Sequence, residues 1–404
     1  MSETIKPRDA AQLRDAIAWA AGGEVPLELV SGGSRRALGR PVEARHVLDL
    51  SAFSGIVSYE PDELLLVAGA ATPMAEIDAA LAARGQMLAF EPPDTGPVLG
   101  GAAGAGTIGG AIATGLSGPR RVKAGAARDH LLAFAAVSGR GESFKAGGKV
   151  VKNVTGYDLP KILCGSHGTL AAMTEVTVKV LPAPPKARTV LLFGLDVAAG
   201  TRAMADALNS PFEVSGAAML PAGVAARSAV DFVRDAGATV VALRIEGTPA
   251  SVAARCEGLR RLLAGRARDE ELHSMRSRRL WLELRDVAPL LPDPAAALWR
   301  VSVPPSAAPA LCRDLPGPFF LDWGGGLAWV AAAPGAADAH AARLRAAIAG
   351  CGGHATLVRA PEATRAAVPV FQPLDAGLAR LSARVKDGFD PARVLNRGRM
   401  HAGM

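Results

Sequence analysis

Aromatic residues make up only 4% of this 404-residue chain, and no Lys/Arg run is interleaved with stacking rings. That argues against a nucleic acid as partner. Cysteine is scarce too. Cys164, Cys256, Cys312 and Cys351 lie far apart with no C-x-x-C spacing, so neither an iron–sulfur cluster nor a zinc site finds its ligands in this chain. They read as buried thiols in a reducing compartment. The opening "MSETIKPRDAAQ" has no charged n-region or apolar h-region, which makes a cytoplasmic protein the expectation. The one long uncharged run, 95–119, is rich in glycine, and glycine costs roughly 1 kcal/mol per helical position relative to alanine. A membrane-spanning helix is therefore rejected.

What the chain does have is length, apolar residues and glycine. Half of its residues are hydrophobic and it exceeds the size at which single cores split, so at least two domains are expected. A formal charge of +7 fits an anionic partner, such as a phosphorylated cofactor, a carboxylate substrate or an acidic membrane surface; a basic solvated face fits as well.

Along the chain, Asp9 and Gln12 form a capping-box-like start to a helix carrying Leu13, Ile17 and Trp19 and closed by Gly22-Gly23. Strands are expected in "VPLELV", near 46–50 and at 63–68. Thr72-Pro73 supplies an N-cap and first position for a helix ending at Gly85. "HLLAFAAVSGRGESFKAGG" reads as two strands around a turn, and 175–182 alternates with period two. Pro182, Pro184 and Pro185 then stop both helix and sheet, which places a domain boundary after residue 183. The second half mixes strands ("TVLLFGL", "ATVVALRIEG", "LWRVSV") with alanine-rich helices. A hairpin is expected from 319–323 and 327–332 around Gly324-Gly325-Gly326.

The glycine-rich stretch contains Gly104-Ala-Gly106-Thr-Ile-Gly109, a literal G-x-G-x-x-G, with Asp129 twenty residues after the last glycine. A nicotinamide-binding turn needs a hydrophobic strand before the first glycine and a full helix after the last. Here "EPPDTGPVLGGAA" precedes it, helical potential fades by Ala113 or Thr114, and Asp129 falls before the next strand, so that reading fails. "GAIATGLS" also lacks the P-loop lysine. What remains is a surface on which a large planar or phosphorylated ligand can approach backbone N–H groups. A second such loop, Ser31-Gly32-Gly33-Ser34, follows a strand directly. Two such loops suit an extended dinucleotide, although ordinary turns fit the spacing alone.

The order "SGGS", "GTIGGAIATGLSGPRR", "ARDHLLAFAAVSGRGE", "GGKVVKNVTGYDLPKILCGSHGTLAAMTEVTVKVLP" and "FDPARVLNRGRM" resembles the vanillyl-alcohol-oxidase/PCMH-type FAD-binding proteins. Within them it is most similar to the FAD-binding subunits of bacterial glycolate oxidase complexes. The resemblance covers roughly 5–185 strongly and continues weakly to the tail. It implies an α+β fold: a PCMH-type FAD-binding domain of two lobes over 1–183, a smaller α/β cap domain over 184–385, and a C-terminal segment, 386–404, returning to the FAD domain. It also implies that Ser31, Gly32, Gly33 and Ser34 hold the FAD pyrophosphate, and that Thr107, Gly109, Gly110, Thr114 and Gly115 run along the flavin and its phosphates. Asp129 would brace that second loop, Gly168 and Val176 would lie beside the cofactor, and Asn396 and Arg399 would wall the site.

Departures from the family pattern carry expectations of their own. Many relatives bond the flavin covalently through a first-loop histidine; Ser34-Arg35-Arg36 stands there in this chain, which implies non-covalent FAD. His167 replaces a common glutamate and Arg397 a common proline. His273, His340 and His354 lack the spacing of a metal-and-base set, so no metal is expected and the catalytic residues stay unassigned. Arg120, Arg121 and Lys152 could bind a substrate carboxylate or simply face solvent. Tyr157 is either a hydroxyl at the flavin edge or a packed core ring.

The resemblance implies an FAD-dependent oxidoreductase acting on the CH–OH group of a 2-hydroxy acid, oxidising glycolate to glyoxylate. Its electrons would pass to a second flavin subunit and an iron–sulfur subunit, with peripheral membrane association through that complex. A free-standing D-lactate-like dehydrogenase and a non-catalytic scaffold subunit are the alternatives.

Overall fold

The computed structural model describes residues 3–148 and 156–404. The chain divides into two units. The first comprises 1–116, 126–183 and 369–404, and the second 117–125 and 184–368. The chain therefore crosses at 183/184, but it returns to the first unit at Pro369, earlier than residue 386. The short segment 117–125 belongs with the second unit. Lys152 lies outside the described residues.

The first unit has two lobes. In one, strands Glu3–Ile5, His46–Asp49 and Leu27–Val30 form a parallel sheet in that order. Helix Ala10–Gly22 covers it, with Asp9 accepting the Ala11 and Gln12 N–H groups as N-cap. Leu13 and Ile17 are buried with Leu27, Leu48, Val394 and Leu395. Trp19, expected on the same apolar face, is instead 52% exposed. Its ring meets His46 edge-on at 5.6 Å, an amphipathic perch that spacing alone does not distinguish from a core position.

The other lobe is an antiparallel sheet in the order Ile56–Glu60, Leu65–Gly69, Ala171–Lys179, Leu131–Ser138, Ser143–Gly147. The hairpin around Gly139-Arg140-Gly141 is present as expected. The central strand corrects the period-two reading. Val176, Thr177 and Val178 are all buried, because neighbours pair on both sides and packing covers both faces. Thr72 is not an N-cap either. Helix Met74–Ala82 starts after Pro73, while the Thr72 hydroxyl donates to Gly69 O at 2.7 Å and tightens the preceding turn.

The second unit is built on one antiparallel sheet, ordered Arg268–His273, Lys186–Phe193, Val240–Gly247, Gly216–Leu220, Phe319–Asp322, Leu327–Ala332, Ala297–Ser302, His354–Arg359. Helices Val197–Leu208, Pro249–Leu262, Ser274–Arg285 and Ala341–Ala349 accompany it. The glycine hairpin joins Phe319–Asp322 to Leu327–Ala332 as read from sequence. Of the four cysteines only Cys256 is buried, the others being half-buried. Burial pushes the Cys164, Cys256 and Cys312 thiols up to about 12. Among the described residues no helix is long and apolar enough to cross a membrane.

Candidate functional site

Strand Leu27–Val30 delivers the chain into the first glycine loop, and the turn after Gly106 delivers it into the second. Thr107 caps helix Ile108–Thr114, its hydroxyl accepting Gly110 N–H at 3.2 Å and lying 3.2 Å from Ser31 Oγ. Glycine permits two close approaches here, one between the loops at Gly32 and one to the sheet lobe at Gly109. A Cβ on Gly32 would come within 2.6 Å of Ala105 O, and one on Gly109 within 2.5 Å of Ala70 O. Gly109 N–H in turn donates to Ala70 O at 2.8 Å, and Ile108 N–H to Thr72 O at 3.0 Å, which fixes the second loop to the sheet lobe.

Between the loops lies an open cleft lined by Ser31, Gly32, Gly33, Ser34, Thr107, Gly109, Gly110, Thr114 and Gly168, with Arg35, His167, Asn396 and Arg399. Three of the expected cofactor residues do not line it. Gly115 closes the helix in a left-handed cap, φ +63°. Asp129 accepts Ala126 N–H at 2.8 Å and braces its own turn rather than the glycine loop. Val176 is wholly buried in the sheet core.

The C-terminal tail forms one wall. Asn396 Oδ1 accepts Leu29 N–H and its Nδ2 donates to His167 O, both at 2.8 Å. Gly168 leaves room for this contact, since a Cβ there would lie 2.7 Å from Asn396 Nδ2. Arg399 Nη1 donates to Arg36 O at 2.6 Å and Leu38 O at 3.1 Å, and Nη2 to Glu28 at 3.1 Å, clamping the far end of the first loop.

The residues present fit FAD on three counts. Among the described residues, the amides of Gly32, Gly33, Ser34 and Arg35 donate to no internal acceptor, leaving a row of donors for phosphate oxygens. The glycines give a bare surface for close approach. Arg35, which sequence reading treated only as the substitute for a covalent histidine, has a buried Nε with no hydrogen-bond partner. Its guanidinium lies against the second loop, so close that a Cβ on Gly110 would be 2.8 Å from Nη1. Burial, offset in part by Asp94, lowers the Arg35 pKa to about 10, so it is charged at neutral pH, with no anion hydrogen-bonded to its Nε. Only its place beside the glycines could have flagged it, because burial is not written in a sequence.

His167 also lines the cleft, at φ +53° and with its ring edge-on to Phe371 at 4.9 Å. Burial first, then the charges of Arg399 and Arg35, lower its pKa to about 3, so the imidazole is neutral. Of the expected substrate residues, neither Arg120 nor Tyr157 lines the cleft. Arg120, in the second unit, makes a two-pronged salt bridge to Glu246 at 3.0 and 2.9 Å, and Tyr157 is 91% exposed rather than a packed ring.

A sequence profile described as FAD binding domain matches residues 2–147. Glycolate oxidase subunit GlcE of Escherichia coli (strain K12) is 34% identical over 96% of this chain and 97% of its own length. A D-lactate dehydrogenase of Archaeoglobus fulgidus is 32% identical over 52% of this chain and 44% of its own length. In fold, the chain is similar to 4-ethylphenol oxidase from Gulosibacter chungangensis, with a TM-score of 0.72, 15% identity, and coverage of 98% of this chain and 88% of that one.

Proposed function

This chain belongs to the GlcE-type glycolate oxidase subunits, a branch of the PCMH-type FAD-binding proteins, and from that premise we propose that it carries FAD in the oxidation of glycolate to glyoxylate and passes the electrons to partner subunits. The observation that carries the reading is the cleft itself, with its unfilled amide row, its bare glycines and the unpartnered Nε of the Arg35 guanidinium. When bound, FAD supplies the two-electron acceptor. The protein's share is to neutralise the pyrophosphate through Arg35 and the loop amides, and to hold the tail against the cofactor through Asn396 and Arg399. No first-loop side chain is a histidine, so the cofactor is held without a covalent bond.

Removing the hydroxyl proton of a 2-hydroxy acid calls for a base with a pKa near the working pH. His167, held near 3, is too weak a base for that step. This favours a division of labour in which a second flavin subunit completes the substrate chemistry and an iron–sulfur subunit takes electrons onward. The four dispersed cysteines agree, since they provide no cluster site in this chain. The free-standing 2-hydroxy-acid dehydrogenase finds less support, because the D-lactate dehydrogenase matches over less than half its own length.

The test is an absorption spectrum of the chain purified with FAD, followed by anaerobic glycolate and then D-lactate, with and without the co-expressed partner subunits. The proposal expects bound flavin that glycolate bleaches in the complex. Bound flavin indifferent to glycolate even in the complex contradicts it, and bleaching by D-lactate alone supports the free-standing enzyme.

A further inference from the structure

Helix Ala376–Phe389 lies on the first unit with a lysine, Lys386, as its only fully buried residue. Leu378 and Leu381, neighbours one turn apart on it, are 46% and 55% exposed, although leucines on a surface helix ordinarily make up its buried stripe. Ile162, 41% exposed, stands with Leu381 on the wall of one open cavity, which Leu170, Val385 and Met400 also line. Single apolar residues on a surface need no explanation, whereas a group of them around one opening marks a place where another molecule sits.

The cavity wall offers that molecule no free charge. Lys386 gives its three N–H bonds to Thr169 O, Leu395 O and Asp390. Burial and then Arg40 lower the His401 pKa, and burial pushes the Cys164 thiol up to about 12, so both groups are neutral at neutral pH. Charge stands outside instead. Arg384, three residues after Leu381 and so beside it on the helix surface, and Arg380, one turn before Arg384, are exposed and have no ion-pair partner among the described residues. The one acid on this helix, Asp387, is already paired with Arg393.

The cavity shares a wall with the cofactor cleft. Gly165, Ser166 and Thr169 line the cavity, while His167 and Gly168 between them line the cleft, so one thickness of chain separates the two. Rings cross at the same place: the His167 ring of the cleft lies 4.9 Å from Phe371, and Phe371 lies 6.2 Å from His401 of the cavity wall. Electron transfer weakens steeply with distance, so an acceptor that serves the cleft gains by docking where the wall is thin.

We infer that the face running from Ile162 across this cavity to Leu378 and Leu381 is the docking surface for the electron-accepting subunit of the complex. The matching patch on that subunit would place an apolar side chain in the cavity and carboxylates opposite Arg380 and Arg384. Two electrons from the reduced cofactor would cross here to the partner's iron–sulfur centres, and its two protons would go to water. The partner's role rests on the function proposed above; the position of the surface does not.

Affinity of the FAD-loaded chain for the purified iron–sulfur subunit tests this without turnover. Leu381→Glu should weaken binding about 100-fold and Leu381→Ala about 10-fold, the alanine variant covering the case in which the glutamate disturbs the helix. Arg380→Glu with Arg384→Glu should weaken it about 10-fold and flatten its dependence on salt. Met275→Glu, at an equally apolar and 78% exposed position in the second unit, should bind as wild type does, with flavin content unchanged in every variant. The inference is overturned if wild type does not bind the iron–sulfur subunit, if both Leu381 variants bind it as wild type does, if they lose the second flavin subunit instead, or if Met275→Glu weakens binding as much. Loss of the partner from Leu381→Glu in a complex whose flavin glycolate does not bleach would leave this surface standing and remove the glycolate reading. Bleaching in a complex that Leu381→Glu leaves intact would do the reverse.

Discussion

Arg35 is the residue on which the cofactor account depends most. A guanidinium whose buried Nε has no hydrogen-bond partner is costly, and the phosphate charge that repays it is the one the glycine loops are shaped to receive. Arg35→Met should therefore raise the FAD dissociation constant about 10- to 100-fold while leaving the apo-protein as stable or more so, whereas Arg35→Lys should lose less. Calorimetry of FAD into the apo-chain reads both, and equal affinities for wild type and Arg35→Met would contradict the assignment. His167 gives a pH signature. It is neutral in the folded protein and becomes charged in the unfolded chain below its ordinary value of 6.5, so its contribution is complete above 6.5 and is lost as pH falls toward about 3. The melting temperature should accordingly drop more steeply between pH 6.5 and 5 in wild type than in His167→Asn, with no difference in slope above 6.5. Parallel slopes throughout would show that His167 is not held neutral. At this scale the glycines were legible, because a backbone that must be approached closely shows itself as missing side chains. Arg35 and His167 were not, because their properties come from burial by residues far away in sequence, and Asp129 and Val176 were assigned by motif position although one only caps its own turn and the other is core.

Among the elements, the tail depends on a buried pair. Lys386, near the end of helix Ala376–Phe389, donates to Asp390 at 2.7 Å, Thr169 O at 2.7 Å and Leu395 O at 3.1 Å. Asp390 in turn accepts Val394 N–H at 3.0 Å and Leu395 N–H at 2.8 Å. This knot sets the approach of Asn396 to the cleft, and Gly139 is bare because a side chain there would overlap Asp390. Lys386→Met strands a buried carboxylate and should cost roughly 3–5 kcal/mol in chemical denaturation, with weaker FAD binding as a second effect. A loss below about 1 kcal/mol would mean the pair is better solvated than its surroundings indicate. Sequence reading located the hairpins and the short helix ending at Gly115, where turn chemistry is local. It misjudged Thr72, whose hydroxyl turns back to Gly69, and the central strand Ala171–Lys179, whose environment is set by pairing with the distant strands Leu65–Gly69 and Leu131–Ser138.

For the whole molecule, the boundary at 183 was marked by prolines, which stop any element whatever surrounds them. The earlier return at Pro369 and the attachment of 117–125 to the second unit left no such mark, since both are decided by which core receives the segment. Within the second unit the bridge between Arg120 and Glu246 illustrates this. Burial alone would raise the Glu246 carboxyl, but Arg244 and the Arg120 hydrogen bonds hold it down at about 2, a use for Arg120 that no motif announces. The first unit, assembled from three stretches of chain, has its glycine loops, loop 166–168 and tail converge on one cleft, and that convergence is the central claim. Flavin content per folded chain tests it most directly, comparing wild type with Gly110→Val, whose side chain would occupy the space of the Arg35 guanidinium. The account predicts one FAD per wild-type chain and almost none in a Gly110→Val chain with an unchanged circular dichroism spectrum. A folded wild type that takes up no FAD, or a Gly110→Val chain that binds it equally well, would contradict it.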